Sequence, residues 1–233
     1  MRIAIISDIH SNLEALEKTL EIIKQKSVDE IVCLGDIVGY GANPNECLSL
    51  VRQNTQHIIL GNHDDGAVSL RQIEDFNPYA RQAAIWTNKH LTEVNKEFIQ
   101  SLPRTIELNG LLFAHSSPFE PEEWHYLLSP AEAQTNFKHF SQMICFVGHS
   151  HVPLIFSEDF WTKEITSGKR FIVNVGSVGQ PRDLNPRLSF GIFDAESWTY
   201  ENIRSEYDVK TASEKIRDAG LPKQLADRIL IGR

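Results

Sequence analysis

Short apolar runs alternate with amphipathic stretches through the first third of the chain. The runs are typical of buried strands and fall at Ile3 to Ile6, Ile31 to Leu34 and His57 to Leu60. Between the first two, leucine and isoleucine recur at helical spacing, which predicts a helix over residues 12–26 behind a Ser11/Glu14 capping box. Asn43-Pro44 with Glu46 starts a second helix in the same way. This order implies parallel strands joined by right-handed crossovers.

Residues 66–100 interrupt the alternation with helical sequence. Asn77-Pro78 is a helix start, and Tyr79, Ala83 and Trp86 then fall on one face. We interpret this segment as a helical insertion beside the active site, or a cap over it. The main domain is predicted to span residues 1–205, followed by a C-terminal helical tail over 206–233 in which Pro222 separates two short helices.

The second half of the chain is richer in strands. Thr105 to Leu108 and Leu111 to Ala114 flank Asn109-Gly110, which predicts a hairpin with a tight turn. Ser129-Pro130 opens another helix. Further strands are predicted near residues 144–148, 152–157, 170–175, 189–195 and 198–204. The predicted fold is therefore α/β, a four-layer α/β/β/α sandwich of two mixed sheets with flanking helices.

Composition favours an intracellular enzyme with a core of its own. The chain has 233 residues, 41% of them hydrophobic, which is enough to form a single stable domain without disulfides. Its three cysteines, Cys33, Cys47 and Cys145, lack metal-type spacing and are predicted to be reduced. No run approaches a signal-peptide core or the ~20 apolar residues of a membrane span. We predict a cytoplasmic protein with no membrane partner.

The net charge of -8 bears on possible partners. Proteins that bind long nucleic acids normally carry a basic face or stripe, and the sequence has no such lysine and arginine cluster. The composition therefore argues against long nucleic acid as a substrate. A small phosphate ester is not excluded, because it meets the local field of a pocket rather than that of the whole surface.

Polar residues follow five of the apolar runs, where each run ends. They form the motifs Asp8-Ile9-His10, Gly35-Asp36, Gly61-Asn62-His63-Asp64, His115 and Gly148-His149-Ser150-His151. Strand ends are where open α/β sheets hold their ligands and catalytic groups. One histidine at such a place is usually an ordinary core or surface residue, but packing does not require imidazoles in pairs. The combination predicts one joint site.

These residue types suit two divalent cations. A pair about 3.5 to 4 Å apart needs a bridging carboxylate, hard oxygen ligands and neutral imidazoles. Two aspartates, an asparagine and four of the nine histidines supply them. The identity of the ions stays open among Mn, Fe, Zn and Co, because Asp, Asn and His ligands accept all four.

The five motifs resemble those of the calcineurin-like metallophosphoesterase superfamily, and the sheet pattern extends the resemblance to about residue 205. The resemblance, in particular to small bacterial and archaeal phosphodiesterases and diadenosine tetraphosphatase-like members, implies a dinuclear hydrolase. It implies that one metal is bound by Asp8, His10, Asp36 and His151. It implies that the second is bound by Asp36, Asn62, His115 and His149. Asp36 is then the bridge.

His63 is the remaining residue of the third motif and, by the same resemblance, faces the substrate. Two cations acidify the water between them, so that hydroxide attacks phosphorus. The leaving alkoxide needs a proton from the opposite side, and we predict that His63 donates it. Strand alternation is expected to turn His63 away from the metals. The alternative is a purely supporting role, and whether Asp64 supports His63 stays open.

Two observations narrow the range of possible substrates. In the phosphoprotein phosphatases of the superfamily, an Asp and then an Arg follow the Gly-Asp motif, whereas this chain has Gly39 and Tyr40 there. In segment 174–182, exposed backbone N–H groups and Arg182 are predicted to bind a phosphate; the alternative is a turn with a surface arginine. Asn12 is a second predicted substrate contact, with the first turn of a helix as its alternative.

The sequence thus predicts a hydrolase of phosphodiester or phosphoanhydride bonds in small nucleotides, such as dinucleoside polyphosphates or cyclic nucleotides. A phosphomonoesterase or protein phosphatase is the alternative among enzymes. A non-catalytic protein-binding scaffold is a third reading, but scaffolds of this fold lose ligands or the catalytic histidine, and this chain keeps all eight residues.

Overall fold

The computed structural model of the protein describes residues 1–162 and 164–233, with residues 71 and 72 described by their backbone alone. This part of the chain contains ten strands. They are β1 (Arg2–Ile6), β2 (Glu30–Cys33), β3 (His57–Ile58), β4 (Thr105–Leu108), β5 (Leu111–Ala114), β6 (Ile144–Val147), β7 (Leu154–Ser157), β8 (Phe171–Asn174), β9 (Leu188–Asp194) and β10 (Thr199–Ser205).

The strands form two five-stranded mixed sheets. The first has the order β10-β9-β1-β2-β3 and the second the order β4-β5-β6-β8-β7. In the first sheet β1, β2 and β3 run parallel, while β9 and β10 are antiparallel to their neighbours. In the second sheet β5, β6 and β8 run parallel, flanked by antiparallel β4 and β7. The carboxyl ends of the parallel strands carry all five motifs.

Eight α-helices surround the sheets in the described part of the chain. They are α1 (Leu13–Gln25), α2 (Pro44–Asn54), α3 (Asn62–Val68), α4 (Pro78–His90), α5 (Glu93–Gln100), α6 (Pro130–Asn136), α7 (Val209–Asp218) and α8 (Lys223–Ile229). Two short 3-10 helices lie at Leu70–Ile73 and Pro121–Glu123. No helix among the described residues is long and apolar enough to cross a membrane.

Alternation along the strands explains the layers. In β1, Ile3 and Ile5 point toward the second sheet and pack with residues such as Phe113 and Phe146. The intervening Ala4 and Ile6 pack on the other side, against α1 and α2. The outer face of the second sheet is covered in the same manner by α6 and the segment before it. The predicted four-layer α/β/β/α sandwich is confirmed.

Several local predictions are also confirmed. Asn109 and Gly110 both have positive φ, 52° and 75°, as a tight hairpin turn requires. Ser129 forms a complete capping box at the start of α6. Asn77 caps α4 by accepting from two backbone N–H groups. The three cysteines are buried and free.

Two predictions about helix starts are wrong. The cap of α1 is Asn12, which accepts from the Ala15 N–H, and not Ser11. Ser11 lies in the left-handed region at φ 54°, which is not the extended conformation of a capping residue. The helical segment that was predicted from residue 66 begins earlier, at Asn62, inside the third motif. β3 correspondingly ends at Ile58 instead of Leu60.

The C-terminal helices pack beside the helical insertion. Ala80 and Ala83 of α4 share a buried cluster with Ile216, Leu225 and other residues of α7 and α8. The indole N–H of Trp86 donates to the Ala219 carbonyl at 3.0 Å. Tyr40, which follows the second motif, belongs to the same cluster. The tail is therefore packed next to the motif loops and not apart from them.

Candidate active site

The loops that carry the motifs are joined by backbone hydrogen bonds. Asp8 N–H donates to the Gly35 carbonyl at 3.1 Å, and His10 N–H donates to the Asp36 carbonyl at 2.9 Å. Gly148 N–H donates to the His115 carbonyl at 2.8 Å. The first two bonds join loops of the first sheet, and the third joins loops of the second sheet. His149 N–H, which donates to Asp8 Oδ2 at 3.0 Å, then links the two sets of loops at the carboxyl ends of the parallel strands.

Five of the seven predicted metal ligands have backbones in the left-handed region. They are Asp8, His10, Asp36, His149 and His151, with φ between 50° and 65°. Such a conformation costs of order 1–3 kcal/mol for a non-glycine residue and persists only where the surroundings impose it. Their concentration in one place is typical of a functional site.

The predicted ligands converge into two groups of buried donor atoms. In the first group, the donor atoms lie within 4.8 Å of one another and belong to Asp8, His10, Asp36 and His151. The second group meets the same limit and belongs to Asp36, His115 and His149. Asn62 joins it, because its Oδ1 lies 3.2 Å from His115 Nε2.

Asp36 lies between the two groups. Its Oδ2 is 3.6 Å from His10 Nε2 and 3.3 Å from His115 Nε2. Its Oδ1 accepts the backbone N–H of His63 at 2.8 Å, which fixes the carboxylate plane. Gly61 is required beside it, since a Cβ at that residue would stand 2.2 Å from Asp36 Oδ1. Asp36 is therefore placed to serve both groups.

Backbone carbonyls set the orientation of three imidazoles. The Nδ1 atoms of His10, His115 and His151 lie 3.2, 2.8 and 2.6 Å from the carbonyls of Val38, Leu34 and Gln180. When Nδ1 donates its proton to a carbonyl, Nε2 of the neutral ring carries a lone pair. The Nε2 atoms of His10 and His151 then face each other at 3.2 Å. Two lone pairs in that geometry call for a cation between them.

Buried acceptor atoms without hydrogen-bond partners also indicate a cation site. Asp8 Oδ1, Asp36 Oδ2 and His149 Nε2 have no hydrogen-bond partner among the described residues. Orphaned buried acceptors of this kind are costly unless an ion satisfies them. Carboxylate oxygens with imidazole nitrogens suit Mn, Fe, Zn or Co. The residues present therefore fit two divalent cations.

The charges of the two groups shift their pKa values. Burial alone would raise the pKa of Asp36, but the neighbouring His115 brings that pKa well below its usual range. Burial lowers the pKa of His115, yet Asp36 outweighs it and the pKa rises to about 9 in the metal-free protein. Burial lowers the pKa of His149 to about 3. The carboxylates are thus ionised and available as ligands at neutral pH.

His63 lies in the first turn of α3 and outside both donor groups. Its ring centroid is 4.3 Å from that of Tyr40 and 5.0 Å from that of His10. Its Nδ1 is buried without a partner, and burial lowers its pKa to about 4. The expectation that strand alternation separates His63 from Asn62 is wrong, because the two residues begin a helix and diverge by helical rotation.

Asp64 has its own role. Its Oδ1 accepts from Val38 N–H at 2.9 Å and its Oδ2 from Gly61 N–H at 3.2 Å. The carboxylate therefore ties the second motif loop to the third and makes no hydrogen bond to His63. Burial, followed by the charge of Asp36, raises the pKa of Asp64 to about 7.

The second donor group opens into a cleft of about 480 Å³. Asn62, His63 and His149 contribute to its lining. Four aromatic residues line it as well: Tyr40, Phe76, Trp124 and Tyr126. The Tyr126 ring stacks on His149 at 4.0 Å and is 49% exposed. The insertion contributes part of one wall and the segment after β5 contributes another.

Comparison with known proteins agrees with this geometry. Residues 1–197 match the profile of the calcineurin-like phosphoesterase superfamily domain. The chain belongs to this superfamily. It is 38% identical to a metallophosphoesterase from Sphaerobacter thermophilus, whose crystal structure superposes with a TM-score of 0.88 over 100% of this chain and 99% of that one.

Two curated proteins are also similar. Uncharacterized protein MJ0912 of Methanocaldococcus jannaschii is 43% identical over 241 residues, covering 99% of this chain and 98% of its own length. Phosphodiesterase YfcE of Escherichia coli K12 is 25% identical over 201 residues, covering 83% of this chain and 88% of its own. As a calcineurin-like phosphoesterase, the protein is a metal-dependent hydrolase of phosphate esters.

Asn12 is occupied by structural contacts in this member of the superfamily. Its Nδ2 donates to the Gly179 carbonyl at 2.8 Å and to the Tyr207 hydroxyl at 3.0 Å, while its Oδ1 caps α1. Both N–H groups of the amide are used, and the residue is buried. This geometry favours the alternative of a helix-start residue, and it leaves no donor for a substrate.

Segment 174–182 differs from the prediction in its backbone. Its N–H groups donate within the protein, those of Val178 and Gly179 to the carbonyls of Ser7 and Asp8. The expectation of exposed N–H groups that bind an anion is therefore wrong for this pair. Arg182 remains near the site: its guanidinium carbon is 5.8 Å from the Tyr40 ring centroid.

Sequence reasoning missed two kinds of residue in this calcineurin-like site. Tyr126 and Trp124 line the cleft from a loop with no motif. Arg228, from α8, lies 5.9 Å from the Tyr40 ring centroid. No local pattern marks these residues, because tertiary packing alone brings them to the cleft.

Proposed function

We propose that the protein hydrolyses phosphodiester or phosphoanhydride bonds in small nucleotides, such as dinucleoside polyphosphates or cyclic nucleotides. The observation that carries the proposal is the combination of two donor groups sharing Asp36 with a cleft whose lining includes four aromatic residues. Aromatic side chains stack on nucleobases, and a cleft of about 480 Å³ has the size of a small-ligand pocket. The name phosphodiesterase carried by the 25% identical relative supports the same class.

The ligand roles follow from the donor groups. We propose that Asp8, His10, Asp36 and His151 hold one cation. We propose that Asp36, Asn62, His115 and His149 hold the other. Divalent cations held there would supply Lewis acidity, acidifying water and drawing charge from the phosphoryl oxygens. The backbone carbonyls behind His10, His115 and His151 keep the nitrogen lone pairs aimed inward.

His63 is proposed to donate a proton to the leaving group. It lines the cleft, and its unpartnered Nδ1 has no competing acceptor among the described residues. Because burial holds its pKa near 4, the ring is neutral at pH 7 in the free protein. An anionic substrate brings negative charge beside the ring, which favours its protonated form. Proton donation is then coupled to substrate binding.

The test is a substrate comparison with Mn-loaded protein. We would measure kcat/KM for diadenosine tetraphosphate, a cyclic mononucleotide, bis-p-nitrophenyl phosphate and p-nitrophenyl phosphate. The expected result is a preference for one of the nucleotides, since only these engage both the reacting centre and the aromatic walls. A preference for p-nitrophenyl phosphate or a phosphopeptide would replace the proposal with a phosphomonoesterase or protein phosphatase. No turnover of any ester would favour the scaffold reading.

A further inference from the structure

Two arginines from distant parts of the chain lie close to the ring of Tyr40. The guanidinium carbon of Arg182 is 5.8 Å from the ring centroid, and that of Arg228 is 5.9 Å away. Arg182 belongs to the turn after β8, and Arg228 belongs to α8 in the C-terminal tail. The fold therefore brings two cations to one aromatic residue.

The pair lies next to the reacting centre. The Tyr40 ring centroid is 4.7 Å from that of His10 and 4.3 Å from that of His63. The charge of Arg182 acts on His63. Burial lowers the pKa of His63, Asp36 raises that pKa, and Arg182 lowers it further. A group bound by the arginines would thus be a near neighbour of one bound at the donor groups.

Neither arginine is paired with an aspartate or a glutamate. Among the described residues, no aspartate or glutamate oxygen lies within 4.0 Å of either guanidinium group. Nε and Nη2 of Arg182 both donate to Gln180 Oε1, and Nε of Arg228 donates to the backbone oxygen of Arg233. Their other N–H groups have no acceptor in the described chain. Burial, and then the charge of Arg182, lowers the pKa of Arg228. No aspartate or glutamate of the described chain neutralises the pair.

Arg228 is held in place by the fold of the tail. Leu225 and Ile229, on either side of it in α8, are buried in the same cluster as Tyr40. Gly232 then accepts from Leu184 N–H at 2.9 Å, so the chain end is bonded to the loop that follows Arg182. A Cβ at Gly232 would stand 2.5 Å from Asn185 N, which shows how closely the two segments pack.

We propose that Arg182 and Arg228 bind a phosphate group adjacent to the one that is hydrolysed. Guanidinium groups bind phosphate oxygens through paired, charge-assisted hydrogen bonds. The substrate class that fits is a nucleotide with at least two consecutive phosphates, one at the donor groups and the next between the arginines. This inference rests on the proposed function and assigns the C-terminal tail a part in substrate selection.

Binding to the Mn-loaded protein tests the pair without relying on turnover. Isothermal titration calorimetry would compare α,β-methylene-ADP, which has two phosphates and a non-hydrolysable bridge, with AMP. Losing a charged hydrogen bond weakens binding by about ten- to a hundredfold. We expect Arg228→Ala to weaken the binding of α,β-methylene-ADP by that factor. The binding of AMP should weaken by less than about threefold. Arg228→Lys, which keeps the charge but not the fork, should fall between Arg228→Ala and wild type.

Arg217→Ala is the matched control, because it removes an exposed arginine from the same tail, where it pairs with Asp227. It should bind both ligands like the wild type. If Arg228→Ala loses the same affinity for both ligands, or loses none, the proposal of an arginine site is wrong. Hydrolysis separates this result from the proposed function. If the wild type shows the expected binding but cleaves no nucleotide, the arginine site stands and the proposed reaction fails.

Discussion

At the scale of single residues, the site depends on Asp36 more than on any other side chain. Its Oδ2 faces a histidine of each donor group, and its Oδ1 holds the backbone of His63. Both donor groups lose an anionic ligand when it is neutralised. No other carboxylate of the described chain belongs to both groups.

Asp36→Asn is therefore expected to lose metal and activity together. The amide keeps the size of the side chain but removes a charge from each coordination shell. Metal content by mass spectrometry and kcat would be measured on the same samples. Asp159→Asn, which alters an exposed carboxylate outside both donor groups, serves as the control. Full activity of Asp36→Asn with one metal or none would contradict the two-metal arrangement.

His63→Ala is expected to keep its metals and lose about 10²- to 10⁴-fold in rate, the usual range for a general acid. The loss should be smaller with a p-nitrophenol leaving group, which needs no proton, than with an alkoxide. His57→Ala, at the sheet edge, is the matched control. Equal losses with the two leaving groups would speak against proton donation by His63 and favour a supporting role.

At the scale of elements, the junction of β3 and α3 decides how closely two motif loops approach. Gly61 stands at that junction and caps α3. A Cβ there would meet Asp36 Oδ1 at 2.2 Å and Asp36 N at 2.3 Å, both far inside contact distance. These atoms belong to a buried carboxylate and a backbone, so neither yields easily.

Gly61→Ala is accordingly expected to displace Asp36 and to lower metal retention by at least tenfold, measured by dialysis against a chelator. Gly110→Ala is an informative comparison. Its φ of 75° makes alanine costly, but no atom lies within 4 Å of the added Cβ. It should lower the melting temperature and leave metal retention unchanged. Wild-type metal retention in Gly61→Ala would show that the loops can separate without cost.

At the scale of the whole molecule, bound cations would join loops from both sheets. Asp8 and Asp36 follow strands of the first sheet. His115, His149 and His151 follow strands of the second. A ligand that binds only the folded state stabilises it by about 2.7 kcal/mol at a hundredfold excess over its Kd. For a chain of this length, that corresponds to a rise in melting temperature of about 5 to 10 °C.

The stabilisation should depend on pH with a definite sign. In the metal-free protein the pKa of His115 is raised to about 9, so its protonation stabilises the fold fully below pH 6.5 and is lost as the pH rises toward 9. A cation replaces that proton. The gap in melting temperature between Mn-loaded and metal-free protein is therefore expected to widen from pH 6.5 to 9. If the difference in melting temperature becomes smaller over this pH range, a cation does not replace the proton on His115.

The sequence by itself determined the strands, most of the helices and the set of candidate ligands. Those features are local. Alternation of apolar and polar residues indicates a strand, and 3.6-residue spacing indicates a helix. The residue types that bind metals come directly after the predicted strands in the sequence. Even the layers follow from β1, because Ile3 and Ala4 must face opposite sides.

Only the tertiary structure determined the roles of residues whose partners lie far away in the sequence. The Asn12 amide donates to the Gly179 carbonyl, 167 residues away. The N–H groups of Val178 and Gly179 donate to carbonyls at the end of β1 and in the first motif. Arg228 reaches Tyr40 only because α8 packs beside the insertion. Hydrogen-bond partners and packing neighbours are properties of the folded chain, and a sequence pattern of fixed period carries no record of them.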